Sequence, residues 1–71
     1  MCESNIYLVS PDQEDDNGEL FLEAVDELLP EGENLWRVTS IFGEQKILAG
    51  RIRSMHLVDH RIIFERPAAP A

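Results

Sequence analysis

Seventy-one residues allow one domain, since domains hold roughly 50 to 250 residues, and a core this small leaves stability marginal unless a metal or a partner chain adds to it. A single cysteine excludes an intramolecular disulfide and fits a reducing, cytoplasmic setting, while no apolar run approaches the roughly 20 residues of a membrane span and no basic start leads into a signal-like stretch. The formal net charge of −8 opposes general nucleic-acid coating, whose affinity comes from Lys and Arg neutralising phosphates.

Cys2 to Ser10 alternates as a first strand, with Ile6 and Leu8 on the face shared by Cys2 and Ser4, and Tyr7 and Val9 on the other. Pro11 to Gly18 (PDQEDDNG) is polar throughout and reads as a solvated loop; its acids lack the distant glutamate and the internal spacing of a calcium loop. Glu19 to Leu29 is ambiguous. Leu20, Ala24 and Leu28 fit a helical stripe and the composition favours helix, but Leu20, Leu22 and Ala24 fit a strand face equally well. The following Pro30-Glu31-Gly32-Glu33 is a hairpin-sized turn, and Leu35 to Phe42 is rich in β-branched and aromatic residues that need a hairpin partner. Residues 24–29 supply that partner most simply, so the segment is read as strand.

Gly43-Glu44 and Asp59-His60 mark two further reversals, on either side of the run from Gln45 to Val58, in which Gly50 marks a bulge or sharp bend. RIIFER (61–66) closes the series. The chain reads as a meander, all-β, forming a small curled antiparallel sheet or SH3-like barrel of five to six short strands. Residues 1–66 make the single β domain and the PAAPA tail, 67–71, is expected to be disordered.

Charge is divided unevenly: residues 1–35 hold eleven acids and no Lys or Arg, residues 36–71 three acids and all six bases. Pairing between the halves, within or between chains, is the expectation. Arg51, Arg53 and Arg61, with Tyr7, Trp36 or Phe42 as stacking platforms, offer an alternative function as a small RNA-binding module. Against it stand the net charge, the availability of Glu19, Glu23 and Glu27 as partners for these arginines, and a core role for Trp36. No nucleophile, base and acid stand at recognisable spacing and no glycine-rich phosphate loop is present, so an enzyme is not expected.

Met1-Cys2 followed at once by an alternating strand, the segment VTSIFGEQKILAGRI (38–52) and the closing hairpin RSMHLVDHRIIFER (53–66) together resemble the CooT family of small nickel-binding proteins, many described as predicted RNA-binding proteins. The resemblance implies a small β-barrel-like fold, a cytoplasmic homodimer, and Ni(II) held through the cysteine after the initiator methionine, here Cys2. For some members it further implies nickel supply to carbon monoxide dehydrogenase. The residues are consistent with this chemistry. Apart from thioethers, a thiolate is the only soft ligand in the chain, and soft ligands favour Ni(II), Cu(I) or Zn(II) over Mg(II) or Ca(II). Removal of Met1 would leave a free α-amine on Cys2, so that amine, sulfur and the backbone amide nitrogen of Glu3 could form fused chelate rings suited to a d⁸ ion. One thiolate per chain is too few, and a dimer that brings two Cys2 residues together is the economical solution, with strand one or the Trp36 strand as its contact. The bland alternative makes Cys2 a small hydrophobe on the inner face of strand one. His56, near a strand end, and His60, in a turn, diverge and are left out of the metal set; Met55 is assigned to the core.

Overall fold

The computed structural model describes residues 3–67. Among these residues six strands follow one another without a helix: β1 (Ser4–Val9), β2 (Glu19–Gly32), β3 (Leu35–Ser40), β4 (Gln45–Ala49), β5 (Arg51–His56) and β6 (Arg61–Glu65). They form one sheet in the order β4-β3-β2-β1-β6-β5, which is not closed by hydrogen bonds. The all-β expectation and the strand reading of residues 19–29 therefore hold, but the chain is not a simple meander. β6 inserts between β1 and the edge strand β5 and pairs parallel with β1, Asn5 opposite Arg61 through Val9 opposite Glu65, so the sheet is mixed.

β2 explains how a single sheet makes a core. Its first part pairs with β1 and its second with β3, and the register breaks between Val25 and Glu27 on one side and between Ser4 and Ile6 on the other. Between these stretches Ala24 takes a left-handed backbone, φ 57°, a conformation that costs a residue with a Cβ roughly 1 kcal/mol. The sheet folds over at this corner. Leu48 on β4 and Phe64 on β6 consequently share a buried cluster with Ile6, Leu22, Val25, Val38 and Ile62, although three strands separate β4 from β6 in the sheet. Trp36 packs edge-on against Phe64, with ring centroids 5.7 Å apart, and its Nε1 donates to the Gly50 carbonyl.

The second edge of the fold is drawn in at Gly50. Here the chain leaves β4 and starts β5 at the opposite end of the strand order, with φ 144°. A Cβ at this position would fall on the carbonyl oxygen of Glu65. Of the bulge and the sharp bend read from the sequence, the bend is what forms. The first hairpin turn differs from expectation: β2 runs on through Pro30, Glu31 and Gly32, and the reversal is the pair Glu33-Asn34, with Asn34 at φ 56°. Asparagine tolerates that conformation because its short polar side chain can hydrogen-bond locally. Met55, assigned to the core, is 50% exposed on β5.

Candidate functional site

The amino end of β1 is held by one residue, Asn5. Its backbone amide donates to the His60 carbonyl at 2.8 Å, and its side-chain Oδ1 accepts from the Ala24 amide at 3.0 Å. The Ala24 carbonyl in turn accepts from the Ile41 amide at 2.8 Å. One line of hydrogen bonds thus links the turn before β6, the start of β1, the corner of β2 and the turn after β3. Asparagine is uncommon in strands, and that departure is the sequence signal by which Asn5 could have been singled out.

Cys2 lies outside the described residues and is the covalent neighbour of Glu3, which is half-buried and precedes β1. His60 contributes its carbonyl here, at φ 55°. His56 ends β5 elsewhere, with Nε2 3.2 Å from the Ser54 hydroxyl and 3.8 Å from an Asp16 carboxylate oxygen. Among the described residues, no three of His, Asp and Glu are grouped so as to hold a metal ion.

The arginines of the RNA-binding alternative are not left open. Arg53 is 17% exposed; it donates to Glu65 Oε2 at 3.1 Å, to Asp16 Oδ1 at 3.4 Å, and to the carbonyls of Ser10 and Asp15 at 3.1 Å each. Arg51 pairs with the other Glu65 oxygen at 3.2 Å. Arg61 lies over the Tyr7 ring, 5.0 Å from its centroid, and reaches the Asp16 carbonyl. The partners are thus Asp16 and Glu65, while Glu19, the one expected acid that does pair with an arginine, holds Arg66. These bonds also tie the 11–18 segment to the sheet, leaving Gln13, Asp16 and Gly18 half-buried, so it is a strapped loop rather than a freely solvated one. Two carboxyls are held below their ordinary values: hydrogen bonds from Arg53 and then Arg51 lower Glu65, and hydrogen bonds from the Gln13 side chain and the Asn17 amide lower Asp15. Trp36 is packed on Phe64, and the fully open aromatic, Phe42, stands on the β3–β4 turn. Arg51, Arg53 and Arg61 therefore serve the fold, with only Arg51 substantially exposed.

No helix among the described residues is long and apolar enough to cross a membrane.

Residues 1–65 match the family model described as CO dehydrogenase accessory protein CooT. The fold is similar to the crystal structure of a candidate CooT from Carboxydothermus hydrogenoformans, with a TM-score of 0.78 and 41% sequence identity over 93% of this chain and 98% of that one. No curated protein matches the chain.

Proposed function

The chain belongs to the CooT family, described as CO dehydrogenase accessory proteins, and we propose that its task in such a role is to carry Ni(II) on Cys2. The observation that supports this most directly is the extent of the family match, which begins at residue 1 and so takes in Cys2 and Glu3. The donor chemistry fits the cargo. A thiolate is a soft, strong-field donor, and an adjacent α-amine and the deprotonated Glu3 amide nitrogen would complete chelate rings around a d⁸ cation. Two chains meeting at the amino end of β1 would bring two thiolates to one ion, so the carrier is a homodimer with one metal per dimer.

Asn5 gives this arrangement a rigid base. With its amide and its side chain both engaged, the start of β1 is fixed relative to β2 and β6. The client is a nickel enzyme such as carbon monoxide dehydrogenase, and the setting is cytoplasmic, where a single thiol stays reduced. The protein acts as an accessory that delivers metal and performs no catalysis of its own. Titrating the full chain with Ni(II) and comparing it with Cys2→Ser tests the reading: loss of binding in the variant is the expected result, and undiminished binding sinks it.

A further inference from the structure

The outer surface of the sheet is covered in one half and bare in the other. Away from the core, Val9 on β1 and Ile63 on β6 are fully buried, because the 11–18 segment is strapped over them by the Arg53 bonds to the carbonyls of Ser10 and Asp15. Among the described residues nothing covers the corresponding surface of β2, β3 and β4. There Leu29, Arg37 and Ile47 stand in one line of the register, and Leu35 and Ala49 in the next. Trp36, Val38 and Leu48 take the alternate positions and belong to the core, so these five point to solvent. Leu29, Leu35 and Ile47 are 40%, 40% and 57% exposed, on neighbouring strands about 4.8 Å apart. Arg37 does not divide them by its charge, because its Nη2 donates to Glu31 at 2.9 Å and leaves its aliphatic stem between Leu29 and Ile47. Together these residues present on the order of 300 Å² of apolar surface, the size at which the largest patch of a monomer is often functional.

We propose that this face docks the nickel-requiring client enzyme, through a surface of that protein on which Lys and Arg surround an apolar anchor. The inference rests on the reading of the chain as a nickel carrier and deepens it by naming where the client sits. Charge selects the occupant. Glu27 flanks Leu29 on the same face of β2, and Glu33 stands in the turn before Leu35. Among the described residues neither has an ion-pair partner. The face therefore has an apolar centre and an acidic rim, in a chain of net charge −8. A second copy seated here about a two-fold axis would set acid against acid, and a nucleic acid would bring phosphates to a rim that repels them. A basic protein surface matches both parts of the pattern. Its apolar anchor fills the centre, where most binding energy resides, and its cations pair with the rim and speed the encounter.

Binding of the full, nickel-loaded chain to nickel-free carbon monoxide dehydrogenase, followed by biolayer interferometry, tests the face, and titration with Ni(II) alone tests the carrier reading separately. The wild type is expected to bind, and to bind more weakly as salt is raised. Leu29→Lys combined with Ile47→Lys is expected to raise Kd at least about tenfold, with circular dichroism and nickel stoichiometry unchanged. Leu29→Ala combined with Ile47→Ala adds no charge, is mild at exposed positions, and should weaken binding in the same direction. Glu27→Lys combined with Glu33→Lys should weaken it and flatten its salt dependence. Leu20→Lys combined with Met55→Lys adds the same charge at comparably exposed residues elsewhere and should cost far less. Unchanged affinity in both Leu29 and Ile47 variants, an equal loss in the Leu20 and Met55 variant, or tighter binding by the Glu27 and Glu33 variant overturns the face and leaves the nickel reading standing. A Leu29 and Ile47 variant with a lower protomer count in native mass spectrometry gives the face to a second copy and overturns it equally. A wild type that holds nickel and ignores the enzyme overturns the docking proposal alone. A chain that takes up no nickel overturns the carrier reading, while the same variants, compared without metal, still decide the face.

Discussion

Asn5 and Ala24 are bound across the β1–β2 pair by a side chain in place of a backbone ladder bond: Asn5 Oδ1 accepts from the Ala24 amide at 3.0 Å. The left-handed backbone of Ala24, φ 57°, turns its amide out of the regular ladder, and the asparagine side chain is long enough to follow it. Asn5→Ala leaves that amide without its partner, and an unsatisfied, part-buried donor costs about 1–2 kcal/mol. Urea unfolding should show a loss of that size. A variant as stable as the wild type would mean that water replaces the side chain at the corner.

Gly50→Ala should be more damaging, because its new Cβ meets the main-chain carbonyl of Glu65, which cannot swing aside as a side chain can. The positive φ of 144° adds strain for any residue with a Cβ. Moving the seam apart would also weaken the Trp36 Nε1 bond to the Gly50 carbonyl and the packing of Trp36 on Phe64. A loss of about 3 kcal/mol or more is expected, read as a fall in the urea midpoint and as altered tryptophan fluorescence.

Strand content was legible in the sequence where periodicity and turn residues agreed, as they do for β1, β3 and β6. The parallel return of β6 beside β1 was not, because register and neighbour choice are set by which faces bury one another and leave no short-range mark. Turn limits were misplaced for a related reason: Ile41-Phe42 and Leu57-Val58 are apolar and were absorbed into the adjoining strands, when their exposure belongs to turns. Pro30-Glu31-Gly32-Glu33 offered stronger turn composition than Glu33-Asn34, yet pairing with Trp36 and Leu35 keeps Pro30 and Gly32 in the strand. Opposite-sign pairing was foreseeable in general; that Glu65 and Asp16 would be the acids to hold Arg53 depended on tertiary structure.

Acid should loosen the protein partly through Glu65. Its carboxyl is held below the ordinary value of 4.5, first by the hydrogen bond from Arg53 and then by Arg51. A carboxyl whose folded pKa is depressed adds stability that is fully present above the unfolded value and disappears as pH falls through the folded one. The contribution should therefore be intact at neutral pH and decline below about 4.5. Glu65→Gln removes it at all pH values. Unfolding midpoints of wild type and variant should differ near neutrality and converge on acidification; a constant difference across that window would remove Glu65 from the account.

Nickel binding should need Cys2 and neither histidine. The thiolate is the one donor whose loss no other soft group can make good, so Cys2→Ser should abolish the sulfur-to-nickel charge-transfer absorption and most of the affinity. His60→Ala should change little, because His60 holds Asn5 through its carbonyl, which the substitution retains. His56→Ala should likewise change little, since its ring lies beside Ser54 and Asp16 on β5. Binding displaces protons from the thiol and from the amine or amide that ligates with it, so apparent affinity should fall steeply below about pH 7. Spectrophotometric titration of the four proteins over that range separates the cases. A histidine variant that loses as much affinity as Cys2→Ser would make the coordination sphere mixed, and a Cys2→Ser protein that titrates like wild type would move the site off Cys2 altogether.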